Sequence, residues 1–167
     1  MQLYLIRHAI AVRSDSPVVT ADGERALTEV GIKKMRNVAR ALVRMGVTFD
    51  VVLTSPLIRA RQTAEIVCDV LKCPDRIEPC DALAPGCDID LLADVLRKYE
   101  SANAVALVGH NPDFEALAAD LIGGSHQTGI LFKKGGICRI DLDRIDPQPA
   151  GGLIWHMTPK LLRMIAG

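Results

Sequence analysis

The adjacent cationic pair Arg7-His8 stands immediately after a short apolar run, Leu3, Tyr4, Leu5 and Ile6. A guanidinium grips oxyanions through two parallel hydrogen bonds, and an imidazole can act as nucleophile or proton donor, so the pair suits phosphoryl chemistry. Taken alone, it marks no more than the point where a strand surfaces. Two further positions change that reading. Arg59 follows closely on a second apolar run at 51–54, and His110 follows a third at 104–108 across a single glycine. Two guanidiniums and two imidazoles around one cavity need an anion to offset their repulsion. A phosphoryl group fits, because it carries a large charge and several acceptor oxygens.

Each apolar run is continuous rather than alternating, as in strands buried on both faces of a parallel sheet. Such sheets bind their ligands at the carboxyl ends of the strands, so all three polar tips are expected along one edge. Intervening segments read as helices. Thr28 is placed to cap a helix to about Met45, stopped by Gly46, with Ile32, Met35, Ala39, Leu42 and Val43 as its apolar stripe. Ser55-Pro56 reads as cap and first residue of a helix to about Leu71, which sets Arg59 in the first turn, near the positive end of the dipole. A short strand is expected at 76–78. A helix capped by Asp88 should follow, with Leu91, Leu92, Val95, Leu96 and Tyr99 inward, and another at 113–122. The last third reads as two antiparallel edge strands, 136–142 and 152–157, before a short helix opened by Thr158-Pro159. The pattern predicts an α/β fold, a three-layer α/β/α sandwich with a mostly parallel central sheet and an antiparallel edge, in a single domain spanning 1–167.

Bulk composition narrows the partners. Lys+Arg and Asp+Glu stand at 20 each, so no global field recruits nucleic acid or an anionic membrane, and any anion site is local. No apolar stretch approaches the roughly 20 residues needed to cross a bilayer, and the N-terminus shows no signal-type pattern; a cytoplasmic location is expected. The five cysteines include no CxxC pair, and prolines interrupt the spacing of Cys73, Cys80 and Cys87, so all five read as reduced thiols. No metal site and no cofactor is implied, and nothing signals an oligomeric state.

The full set of motifs carries a resemblance. Arg7-His8 after a first strand, Ser55-Pro-Leu-Ile-Arg59-Ala-Arg-Gln-Thr63, and Val108-Gly-His110-Asn-Pro112 together resemble the histidine phosphatase superfamily, with its phosphoglycerate mutase-like fold. Arg25-Ala-Leu-Thr28 with Gly31, and Leu83-Ala-Pro85-Gly86 in so short a chain, resemble more narrowly the small SixA-type phosphohistidine phosphatases. One departure is Ala9, where the family usually has Gly.

The resemblance implies roles. His8, kept neutral by the neighbouring cations, would attack phosphorus and carry a phosphohistidine intermediate; Arg7, Arg59 and His110 would hold the phosphoryl oxygens in a loose transition state. Arg25 and Asn111 are further substrate-binding candidates, against helix-entry packing for Arg25 and a turn role for Asn111. Asp81 and Asp88 flank the 83–86 loop and are candidate general acids; the alternative is a solvated carboxylate, or for Asp88 a helix cap. His126, His156, Arg13 and Arg61 read as structural or solvated, and Gln62 and Thr63 as supports of the helix. The implied function is hydrolysis of phosphohistidine on a protein partner, possible in a phosphorelay. Alternatives are a phosphatase for a small phosphorylated metabolite and a phospho-dependent binding module.

Overall fold

The computed structural model describes residues 1–16, 21–124 and 129–167. Six strands form one sheet: β1 (Gln2–Arg7), β2 (Val51–Thr54), β3 (Ile77–Pro79), β4 (Ala104–Gly109), β5 (Ile137–Arg144) and β6 (Ala150–Met157), in the order β3-β2-β4-β1-β5-β6. Strands β1 to β4 run parallel, and β5 and β6 form the antiparallel edge.

Strand β1 shows why both faces must be covered. Leu3 and Leu5 point into one fully buried cluster and Tyr4 and Ile6 into another, as the two-residue period of a strand requires. On the Tyr4 side pack α1 (Glu29–Arg44), α2 (Ile58–Leu71) and α5 (Pro159–Ala166), through Val38, Val67 and Leu162. On the Leu3 side pack α3 (Ile89–Arg97) and α4 (Asp113–Leu121), through Leu92, Leu96, Phe114 and Leu117. Each fully buried aliphatic side chain contributes about 1.5–3 kcal/mol, so these clusters outweigh any single polar contact in holding the three layers together. Among the described residues no helix is long and apolar enough to cross a membrane.

Three of the five helix starts among the described residues, those of α1, α3 and α5, carry a side-chain cap. Thr28 accepts from Gly31 N, Asp88 from Asp90 N and Leu91 N, and Thr158 from Leu161 N, as N-caps do. Ser55 does not cap α2. The chain stays extended through Leu57, whose side chain makes no cap, and the helix begins at Ile58. Ser55 Oγ is instead engaged by a histidine, described below. Two stripe residues also differ from expectation. Val43 and Leu91 are 51% and 43% exposed, each at the margin of a face already closed by its neighbours. Tyr99 lies beyond the end of α3, where its hydroxyl donates to Glu78 Oε2.

Candidate active site

Strand register builds the centre of the site. Arg7 lies opposite Gly109 across the β1–β4 pair, and His8 N donates to Gly109 O at 3.0 Å. His8 and His110, each one residue past its strand, are therefore neighbours, with ring centroids 5.3 Å apart. Thr54 lies opposite Val108, and Ser55 N donates to Val108 O at 3.0 Å. That puts Ser55 Oγ 2.8 Å from His110 Nε2. Arg59 enters from the second residue of α2 and is 5% exposed.

Hydrogen bonds define which ring nitrogens are left free. His8 Nδ1 lies 2.7 Å from Ala9 O; a carbonyl only accepts, so Nδ1 carries the proton and Nε2 carries the free lone pair. Burial pushes the His8 pKa down to about 3, against the Ala9 carbonyl and with help from His110, Arg59 and Arg7. Burial likewise brings His110 down to about 4, with Arg59 and Arg7 adding to it and Asp22 opposing. Both rings are neutral at ordinary pH. Ser55 Oγ can donate to His110 Nε2, in the tautomer that puts that ring's proton on Nδ1.

Three nitrogens here are buried without a partner among the described residues: the donors Arg7 Nε and Arg59 Nε, and His110 Nδ1. Leaving such groups unpaired is costly, and buried unpaired donors on two guanidiniums beside a pair of imidazoles are what an oxyanion would satisfy. The chemistry on offer is nucleophilic attack from Nε2 on an electrophile whose oxygens the donors hold.

The remaining groups position these. Arg7 Nη1 donates to Phe132 O at 2.5 Å, and Asn111 Nδ2 reaches the same carbonyl at 3.3 Å. Phe132 N in turn donates to Glu115 Oε1, and Gly135 N bonds the carbonyls of both Arg7 and His8 at 3.1 Å. Arg59 grips Asp22 through both the main-chain oxygen and Oδ2, and Asp22 Oδ1 accepts from Arg25 Nη1 at 2.7 Å. The bond from Arg25, then the charge of Arg59, holds the Asp22 carboxyl below its usual range. Ala9 N donates to Thr63 Oγ1, which itself donates to Arg59 O, tying β1 to α2. Lys72 alone among the described non-glycine residues has positive φ, so Ala9 occupies backbone that needs no glycine.

The structure thus brings Arg7, His8, Arg59 and His110 together, with Asn111 and Arg25 at the periphery. It does not bring in Asp81 or Asp88. Asp81 is exposed in a 3-10 turn over Asp81–Leu83, and Asp88 spends its Oδ1 on the backbone of α3; among the described residues no hydrogen bond or ion pair joins either carboxylate to the four central side chains. Arg61 pairs with Glu65, Arg13 with Asp15, and Gln62 accepts from Leu27 N, all as supports or solvated groups. His156 stacks on the Phe132 ring at 4.6 Å. His126 lies outside the described residues. Sequence reasoning missed Asp22, Phe132 and Lys134 as neighbours of the site. Only Asp22 left a local signal, three residues before Arg25 in a 3-10 turn.

Comparison with known proteins agrees with this fold. Residues 3–84 match the model of the histidine phosphatase superfamily (branch 1). Phosphohistidine phosphatase SixA of Escherichia coli is 31% identical over 166 residues, spanning 98% of each chain. The chain belongs to the histidine phosphatase superfamily. An uncharacterized protein of Picosynechococcus sp. is 35% identical over 97% of this chain and 99% of its own. The solved structure of the protein histidine phosphatase SixA complexed with tungstate superposes with a TM-score of 0.85, at 31% identity over 97% of this chain and 99% of that one. As a histidine phosphatase superfamily member sharing this fold, the chain is a phosphatase.

Proposed function

We propose that this phosphatase hydrolyses phosphohistidine borne by a partner protein. The observation that carries the reading is the carboxylate inventory. Among the described residues, Asp22 is the one carboxylate hydrogen-bonded to a guanidinium of the central four residues, and Arg25 and Arg59 hold it ionised. An alkoxide leaving from a phosphate ester needs a proton from such a group. An imidazole leaving from a P–N bond can take its proton from solvent. A site with a poised nucleophile and no poised acid therefore suits phosphohistidine better than a phosphorylated metabolite. The name of the Escherichia coli relative supports the substrate class, and the complex of SixA with tungstate is that of a similar fold with a tetrahedral oxyanion.

The reaction runs in two displacements. His8 Nε2 donates its lone pair to phosphorus, the bond from phosphorus to the substrate imidazole breaks, and that imidazole is protonated by water. Arg7, Arg59 and His110 hold the three equatorial oxygens, so rate comes from positioning and electrostatics rather than from proton transfer. Water then attacks the phosphoryl group on His8, restoring Nε2 and releasing inorganic phosphate. Five free thiols suit a reducing compartment such as the cytoplasm, and a place in a phosphorelay follows if the partner is a signalling protein.

The test is phosphate release from a phosphohistidine peptide and from a panel of phosphate monoesters, by wild type and His8→Ala. Release from the peptide, falling on the order of 10³-fold or more in the variant, is the expected result. Faster release from a monoester overturns the substrate assignment.

A further inference from the structure

Beside the catalytic pocket lies a second feature that the reaction does not use. A cleft of about 70 Å³ opens next to Ala9, lined by Lys34 of α1, Lys134, Gly135, and Pro159 and Arg163 of α5. Three cations from three separate segments meet there. No ion pair or side-chain hydrogen bond joins Lys34, Lys134 or Arg163 to a carboxylate among the described residues, whereas Arg13, Arg97 and Arg139 elsewhere are each paired. Lys134 is held below its ordinary pKa by burial and then by Arg7, Arg25 and Arg59, which places it in the same positive field as the phosphoryl pocket.

The positive character extends beyond the cleft. Helix α1 carries Lys33, Lys34, Arg36, Arg40 and Arg44 against Glu29 alone, and α5 carries Lys160 and Arg163 with no acid. On the opposite layer α4 carries Asp113, Glu115 and Asp120 and no base. A chain of zero formal charge has thus segregated its charges onto opposite faces, with the basic one adjoining the nucleophile. A field that broad exceeds the span of a small metabolite and matches the scale of a protein surface.

We infer that the cleft of Lys34, Lys134 and Arg163 docks acidic side chains of the partner protein, beside its phosphohistidine. The inference rests on the proposed substrate class and names the partner surface it requires. Complementary charge of this kind steers encounter and sets register, and leaves the chemical step alone.

Two synthetic phosphohistidine peptides of equal length, one flanked by Asp and Glu and one by Asn and Gln, provide the test. Phosphate release is followed for wild type, for Lys34→Glu, and for the Lys34→Glu/Arg163→Glu double variant, with Lys134 left intact. Exposed rim charge pairs are weak, so wild type should prefer the acidic peptide by roughly tenfold in kcat/KM at low salt, carried by KM. That preference should disappear at high ionic strength and in the double variant, while the neutral peptide is turned over at an unchanged rate. Lys34 is exposed, so the single variant keeps the fold and should lose part of the preference. Equal wild-type rates on both peptides, or a preference that survives charge reversal, overturn the docking surface alone. Release from neither peptide overturns the phosphohistidine reading and the docking surface with it.

Discussion

At the scale of single residues, the site is governed by two buried neutral imidazoles. His8 presents Nε2 because Ala9 O holds the proton on Nδ1, and burial keeps the ring from protonating until about pH 3. His110 behaves alike, down to about 4. A free histidine would be half protonated near pH 6.5 and useless as a nucleophile below it. The expected outcome of an imidazole nitrogen NMR titration is that His8 keeps a pyridine-like Nε2 and a protonated Nδ1 at pH 5. An imidazolium pattern for His8 at pH 5 would contradict the tautomer and the mechanism together. The same lone pair explains why Ala9 is tolerated. Its backbone donates to Thr63 and accepts from His8 in a conformation open to any residue, so a Cβ there blocks nothing.

At the scale of elements, the division between capping and catalysis decides which carboxylates matter. Asp88 accepts from Asp90 N and Leu91 N at the start of α3, a helix on the far side of the sheet from α1 and α5. Asp88→Ala should lower stability by about 1 kcal/mol, read by denaturant unfolding, and leave phosphate release within twofold of wild type. A loss of activity without loss of stability would restore Asp88 as an acid. Ser55 makes the converse case. Its motif reads as a helix cap, yet its hydroxyl sits 2.8 Å from His110 Nε2 and α2 starts three residues later. A cap stabilises its helix by about 1 kcal/mol, and a buried imidazole left unbonded costs as much or more, so the hydroxyl goes to the ring.

At the scale of the whole molecule, the site weakens the fold in acid. Both imidazoles have folded-state pKa values below the unfolded value of 6.5. Between about pH 6.5 and 3 the unfolded chain therefore binds protons that the folded chain refuses, and stability falls as pH falls. The linkage is on the order of 3 kcal/mol per imidazole by pH 4, with Asp22 losing its own ion pairs over the lower part of that range. Urea unfolding of wild type and of a His8→Asn/His110→Asn variant, from pH 7 to 4, should show a steep decline in the first and a shallower one in the second. Parallel slopes would mean that the rings are already charged in the folded protein. The separation of basic and acidic faces belongs to this scale too, since no single element reveals it.

The sequence by itself determined the strands, most helix limits and the layer order, and with them the places of Arg7, His8 and His110 at strand tips and of Arg59 at the start of α2. These are legible because each rests on local chemistry: a buried strand is apolar along its length, a cap lies within three residues of its helix, and a tip follows its strand directly. Only the tertiary structure decided what holds those four residues. Arg7 meets Phe132 across 125 positions, and Arg59 meets Asp22 across 37. It also decided that Ser55 serves His110 rather than α2, that Asp88 caps α3, and that Lys34, Lys134 and Arg163 share a cleft. Contacts of that range depend on how sheet and helices close on one another, and packing of whole layers leaves no periodic trace in the residues it brings together.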